Sequence, residues 1–383
     1  MNDQTKGNVK WPKLALFLPD LSAGGAEKVF ILLAATFVEK GFHVDLLLAS
    51  KNGPLLNDVA EGVNIIDLAS IRQGEPVLLS ALRTVFSLMR YLKSSAPTAM
   101  LTTLTGSNLT AIVAKKLSRH DCRLVIREAA SLDNVRSSLR LRLMRTLYQY
   151  ADEIVVLTEF MKSEMVASCR LPAEKVMVVD NPIDSGRVRS MALNAEVNQV
   201  TKKMQPFATV VGRLTEQKDF MTAIRAVAHA NNRSPFDLVI IGEGPLREAL
   251  LLLAKSLNIS ERIHFMGYQS NPYPWMKQSS LFILSSKWEG YPNVLLEAMS
   301  LGCSIIATEY DSSVCAILAT YPECLYRIVS VGNEVEMADA IFELVRQEGI
   351  TQVPHINNTL QVADKYLEAL DVSKWKKSIS GLS

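Results

Sequence analysis

The chain has no run of 18 apolar residues, so no segment reads as membrane-spanning. Its first ten residues, MNDQTKGNVK, lack the apolar core of a secretory signal, and LALFLP beyond them is too short to be one. Both ends, the second being KKSISGLS, are polar and are expected to fray. Five cysteines occur, Cys122, Cys169, Cys303, Cys315 and Cys324, with no C-x-x-C spacing. Most sit among apolar residues and read as small buried hydrophobes in a reducing compartment. Charge of one sign is also scarce: the formal net charge is +2, too small to imply nucleic acid. No strand is followed by G-x-G-x-x-G, and no G-K-[ST] loop occurs. This argues against a dinucleotide-dependent dehydrogenase and a P-loop nucleotidase.

What is present is an ordinary globular composition, 48% hydrophobic and 21% charged over 383 residues. That length suggests two domains. Short, nearly continuous apolar runs alternate with longer segments of helical period, as in buried parallel sheets. The first half has such runs at 14–18, 44–49, 63–68, 124–126 and 153–157, with helices expected at 25–40, 77–93, 107–118, 138–150 and 159–168. NPID (Asn181 to Asp184) closes this half, and the polar SMALNAEVNQVTKKMQP reads as helix plus linker. The second half supplies FATVVG, FDLVIIG, RIHFMG, LFILSS, SIIAT and LYRIV, with helices expected at 217–230, 245–257, 291–301 and 334–348. The reading is α/β throughout, two doubly wound parallel-sheet domains at 1–190 and 191–360. A C-terminal helical segment, 361–383, is open to packing on either domain, packing back on the N-terminal one being one of the two options.

In doubly wound sheets, ligands bind beyond the carboxyl ends of the strands. The residues found there are informative. Gly24 and Gly25 follow the first strand and let helix-start amides approach an anion. Gly212, Arg213 and Lys218 follow FATVV; a planar cation and a point charge suit a diphosphate. Gly242 ends FDLVII, and Gly267 and Tyr268 end RIHFM, where backbone groups can face a bound base. After LFILSS comes KWEGYPNVLLEAMSLG. Glu289 sits in the turn, and Asn293, Val294 and Leu295 open a helix whose amides favour an anion. Glu297 lies just inside that helix, as a carboxylate accepting from a ribose diol would; Glu289 suits hydroxyls of a second ring. Each signal also has a plain structural meaning: loop glycines, solvated bases, exposed helix carboxylates.

In their order along the chain, SAGGAEKV, VGRLTEQKDF, VIIGEGPL, IHFMGY and EGYPNVLLEAMSLG resemble the glycosyltransferases of family 4, which have the GT-B fold. The last piece matches that family's E-x7-E element. The nearest likeness is to bacterial enzymes that extend oligosaccharides on polyprenyl diphosphate. The resemblance implies two Rossmann-like domains facing across a cleft. It implies a retaining transfer of a hexose or N-acetylhexosamine from a UDP-sugar to a glycan, often lipid-linked, without metal or other cofactor. Arg213 and Lys218 would hold the diphosphate and stabilise the leaving group, Glu297 the ribose, and Glu289 the donor sugar. Asn293, Val294 and Leu295 would offer amides, and Gly24 and Gly25 would close on the donor. Such an enzyme would work in the cytoplasm, peripherally on the membrane's inner face, assembling cell-surface polysaccharide or protein-linked glycan.

Two departures stand out. Arg127 and Glu128 occupy the place where some members have a histidine, and EYDSSVCAIL replaces a glycine-rich turn. A nucleotide-sugar 2-epimerase, a sugar-phosphate-dependent transferase and a non-catalytic sugar-nucleotide-binding subunit share the fold and stay open at this point. Nine Lys and Arg against three Asp and Glu between Lys115 and Arg145 mark a basic stretch. Within it, Leu139, Leu143, Leu147 and Tyr150 can share a helix face, with Arg140, Arg142 and Arg145 reaching anionic headgroups.

Overall fold

The computed structural model describes residues 12–372 apart from 23, 72–73, 131, 133–137, 194–196, 198–200, 203, 205, 348–355 and 357–358. The expected frayed ends and part of the linker lie outside the described residues. Two compact units emerge, Met1–Pro182 with Asn358–Ser383, and Ile183–Asn357. The division at Pro182 falls earlier in the chain than the 190/191 boundary read from composition.

The first unit contains β1 (Lys13–Leu18), α1 (Gly25–Glu39), β2 (His43–Leu48), β3 (Val63–Asp67), α2 (Val77–Ser95), β4 (Ala99–Thr103), α3 (Thr105–Ser118), β5 (Arg123–Arg127), α4 (Ser138–Leu147), β6 (Glu153–Val156), α5 (Glu159–Cys169) and β7 (Val176–Val178). Its seven strands are ordered β3-β2-β1-β4-β5-β6-β7, all parallel. Parallel strands need helical crossovers that cover the sheet, which is why LALFL is buried at every position. The spacing gives no strand at 99–103, yet β4 is fully buried beside β1. AMLTT has three apolar residues followed by two threonines, too short a run to show as a strand. Thr103 Oγ1 accepts from Arg127 at 2.9 Å, while the buried Thr102 hydroxyl has no partner among the described residues.

The second unit contains α6 (Ser185–Met191), β8 (Phe207–Val211), α7 (Phe220–Asn231), β9 (Asp237–Ile241), α8 (Arg247–Ser256), β10 (Ile263–Gly267), α9 (Tyr273–Gln278), β11 (Leu281–Leu284), α10 (Asn293–Ser300), β12 (Ser304–Thr308), α11 (Ser312–Ala319), β13 (Tyr326–Val329) and α12 (Glu334–Arg346). Its parallel sheet is ordered β10-β9-β8-β11-β12-β13. Asp184, Asp311 and Asn333 cap helices by accepting from Arg187, Ser313 and Glu336 amides. The last helix, α13 (Thr359–Ala369), belongs to the first unit. Val362, Tyr366 and Leu367 are buried in the same core as α1, and Lys40 pairs with Asp364 at 2.9 Å.

α4 departs from the membrane-facing reading in part. Leu139, Leu143 and Tyr150 are exposed, but Arg140 donates to Thr105 Oγ1 and the Arg145 Nε donates to the Ser168 carbonyl. Two of the three arginines are thus bonded within the unit rather than extended from it. Among the described residues no helix is long and apolar enough to cross a membrane.

Candidate active site

The second sheet starts in its middle. From β8 the chain steps outward through β9 and β10, then returns to lay β11 on the other side of β8 and continues to β13. The connections leaving β8 and β11 therefore diverge, opening a crevice at their carboxyl ends, the usual ligand position in such sheets. The two loops that border it are laced together. Ser285 Oγ donates to the Lys218 carbonyl at 2.7 Å, and the Lys287 amide to the Gln217 carbonyl at 2.8 Å. Thr308 Oγ1, at the end of β12, donates to the Ser286 carbonyl at 2.6 Å.

Glu289 is the focus of this lacing. The residue is 7% exposed. One oxygen meets Lys218 Nζ at 2.5 Å and Ser286 Oγ at 2.6 Å; the other accepts from Gln217 Nε2 at 3.1 Å. Gln217 also donates to the Trp288 carbonyl at 3.0 Å. A buried carboxylate with three donors is well compensated. Lys218 and Glu289 thus hold each other in place.

Gly212 makes room for that pair. Its φ is +153°, and a Cβ there would stand 2.9 Å from Lys218 Cε. Gly242, φ +141°, is tighter still, because its Cβ would fall 1.9 Å from the Gly212 carbonyl oxygen. The ladder extends past the strands through Gly212 N to Ile241 O at 2.9 Å and Gly242 N to Gly267 O at 2.8 Å. Arg213 follows Gly212, is exposed, and has no ion-pair partner among the described residues. Gly267 and the exposed Tyr268 end β10, two strands from β8, or roughly 10 Å at ordinary strand spacing. They share the edge with Arg213 and Lys218 without touching them through any described hydrogen bond.

α10 leaves the β11 loop through Pro292 without a side-chain cap. The amides of Asn293 and Leu295 are bonded to the carbonyls of Tyr291 at 3.0 Å and Pro292 at 2.8 Å. Two of the three expected anion-facing amides are thus engaged in the turn; Val294 stands between them. Leu295's side chain is core. One turn on, Glu297 accepts from Tyr273 Oη at 3.1 Å. Burial and this neighbouring carboxylate raise the Tyr273 hydroxyl's pKa, keeping it a donor. Gln217, Ser286 and Tyr273 were not anticipated. The only sequence signals for them are adjacency to Lys218, the two serines ending β11, and an aromatic in NPYPW.

Gly24 and Gly25 belong to the first unit, after β1, beside β4, where that sheet has its own switch point. Gly24 N donates to Ser22 O at 2.8 Å, and a Cβ on Gly24 would stand 2.2 Å from Glu27 Oε2. At the same sheet edge, β5 ends in Arg127, 1% exposed, whose guanidinium donates to Thr103 at 2.9 Å and Asn181 at 2.6 Å. Glu128 accepts from Tyr148 Oη at 2.6 Å and Thr105 Oγ1 at 3.0 Å. Burial raises its pKa, opposed by these donors and by Arg140 and Arg127. Among the described residues no cluster of three His, Cys, Asp or Glu side chains forms a metal site.

Residues 23–187 match the family described as Glycosyltransferase Family 4, and residues 194–357 that described as Glycosyl transferases group 1. Together the two matches span most of the chain, which is a glycosyltransferase. A Campylobacter jejuni relative, an N-acetylgalactosamine-N,N'-diacetylbacillosaminyl-diphospho-undecaprenol 4-alpha-N-acetylgalactosaminyltransferase, is 28% identical over 88% of this chain and 91% of its own. A second C. jejuni protein, an alpha-1,4-N-acetyl-D-galactosaminyltransferase named for a diNAcBac-PP-undecaprenol acceptor, is 23% identical over 96% and 98%. The Anabaena protein HepE, solved with UDP and glucose, has a TM-score of 0.74 at 15% identity over 97% of this chain and all of its own. This glycosyltransferase has the GT-B fold of two Rossmann-like units.

Proposed function

We propose that this glycosyltransferase moves a hexose or N-acetylhexosamine from a UDP-sugar to a glycan carried on polyprenyl diphosphate, with retention at the anomeric carbon and without metal. The observation that carries the donor assignment is the Lys218–Glu289 pair across the β8/β11 switch point, with Arg213 exposed on the same loop. The acceptor class rests on the undecaprenyl-diphosphate substrates in the names of the two C. jejuni relatives. Arg213 and Lys218 hold the diphosphate, and Glu289 and Gln217 fix the lysine before the donor arrives. Preorganised charge of this kind costs no rearrangement as the transition state forms. Glu297, oriented by Tyr273, accepts from the ribose hydroxyls. At the α10 start, between the turn-bonded Asn293 and Leu295, the Val294 amide faces phosphate or sugar. Gly242, Gly267 and Tyr268 border the base.

In the transfer, the bond from anomeric carbon to the β-phosphate oxygen breaks. The acceptor oxygen bonds that carbon from the same face, and its proton passes to the departing phosphate. Negative charge gathers on UDP, where the two cations act. The protein works at the cytoplasmic face of the membrane, where a polyprenyl-linked acceptor is reached from an anionic surface. Arg213→Ala and Lys218→Ala each lower kcat/KM by about tenfold to a thousandfold, or roughly 1.4–4 kcal/mol of transition-state stabilisation. Steady-state rates on a polyprenyl-diphosphate-linked acceptor check this. Rates within about twofold of wild type would remove the pair from the donor site.

A further inference from the structure

A second polar cavity lies at the opposite edge of the first sheet. The turn at 148–150 leads into the start of β6, and α5 with the turn at 173–175 leads into the start of β7. Between them opens a cavity of about 630 Å³ lined by Arg145, Thr146, Gln149, Cys169, Arg170 and Lys175 among others. It sits at the amino ends of the strands, whereas the loops after β1, β4 and β5 leave from the carboxyl ends. It is therefore separate from any site built on those loops.

Three cations line it and no carboxylate does. Arg145 and Lys175 are held by backbone carbonyls, of Ser168 and Gln149, the second at 2.5 Å. Arg170 ends α5 in the left-handed region and is exposed. None of the three has an ion-pair partner among the described residues. Glu153, which feels the Lys175 charge, is paired with Arg123 at 3.1 Å. The Cys169 thiol, pushed up to about 11 by burial, adds no negative charge near neutrality. Holding three cations around one concavity without a counter-charge is unfavourable unless an anion completes it. Thr146 and Gln149 add neutral donors. On the adjoining surface of α4, Leu139 and Leu143 are exposed.

We propose that this cavity binds a phosphoryl group, with Arg145, Arg170 and Lys175 as its ligands. The group is either the headgroup of an anionic phospholipid or a free phosphate ester. The proposal stands independently of the donor-site assignment. With UDP saturating the donor site, inorganic phosphate is titrated while the amide resonances of Ser168 to Lys175 are followed. Saturable shifts are expected, with affinity reduced about tenfold in the Arg145→Gln/Arg170→Gln/Lys175→Gln variant. Arg170→Gln alone, which removes no internal hydrogen bond, is expected to weaken binding in the same direction.

Sedimentation with phosphatidylglycerol and phosphatidylcholine vesicles separates the sources. Retention on the former alone, competed by phosphate and lost in the triple variant but kept when Arg90 and Lys93, exposed bases of α2 outside the cavity lining, are changed to Gln, assigns the headgroup. Phosphate binding without vesicle retention assigns a free ester. Absence of local shifts, or equal affinity in wild type and both pocket variants, overturns the proposal. UDP affinity, measured alongside, reports on the donor site and fold separately.

Discussion

Glu297 shows how a site residue depends on its support. Tyr273, nearly buried, donates to it, so Glu297→Ala removes the proposed ribose acceptor and also leaves a hydroxyl unpaired, costing about 1–3 kcal/mol of stability. Tyr273→Phe separates the two effects. It keeps the carboxylate and loses only its orientation. Isothermal titration is expected to show UDP affinity falling about tenfold or more in Glu297→Ala and by less in Tyr273→Phe. Unchanged affinity in Glu297→Ala would end the ribose assignment. Glu128 gives a second residue-scale expectation. Its folded pKa is raised by burial, so the unfolded chain releases that proton first. Unfolding free energy therefore falls as pH climbs from the ordinary glutamate range toward the raised folded value. Glu128→Gln removes this titration while leaving Tyr148 an oxygen to donate to, and is expected to flatten the slope. Urea unfolding at about pH 5 and about pH 8 checks it; an equally steep slope in the variant would place the titration elsewhere.

At the scale of elements, the glycine turns after β8 and β9 act as one piece. Gly242→Ala drives a methyl against the Gly212 carbonyl, and Gly212 gives space to Lys218. The substitution is expected to destabilise by about 1–3 kcal/mol and to weaken UDP binding together, because the strain is passed to the loop carrying Arg213. Thermal unfolding and titration of the same sample test the coupling; lost stability with unchanged UDP affinity would uncouple them. Elements also mark where the sequence was readable. LALFL, VDLLLA and LFILSS show as strands because a sheet covered on both faces demands unbroken apolar runs. β4 does not show, although it is central, because AMLTT ends its short apolar run in two threonines, of which Thr103 takes its partner from β5. Its absence conceals the switch point beside Gly24 and Gly25. Arg213, Lys218, Glu289 and Glu297 are legible as types at strand ends. Their bonds are not: that Glu289 holds Lys218, or that Tyr273 reaches Glu297, depends on side chains 71 and 24 residues apart.

At the scale of the whole molecule, two parallel-sheet units each begin in mid-sheet and so place a ligand edge at a switch point. The second carries Arg213, the Lys218–Glu289 pair and Glu297, proposed as a nucleotide-sugar site, and the first carries the buried Arg127 and Glu128 and the glycine loop. The central claim is that together they transfer sugar from a UDP-sugar to a polyprenyl-diphosphate-linked glycan. The direct measurement is transfer by the purified protein from UDP-, GDP- and ADP-sugars to lipid-linked oligosaccharide extract in excess EDTA, with the product's anomeric configuration determined. The account predicts acceptor-dependent transfer from a UDP-sugar alone, with configuration retained, EDTA without effect, and loss of transfer in Lys218→Ala. Turnover of the sugar nucleotide without acceptor, use of GDP- or ADP-sugars only, inversion, or strict dependence on Mg²⁺ would contradict it.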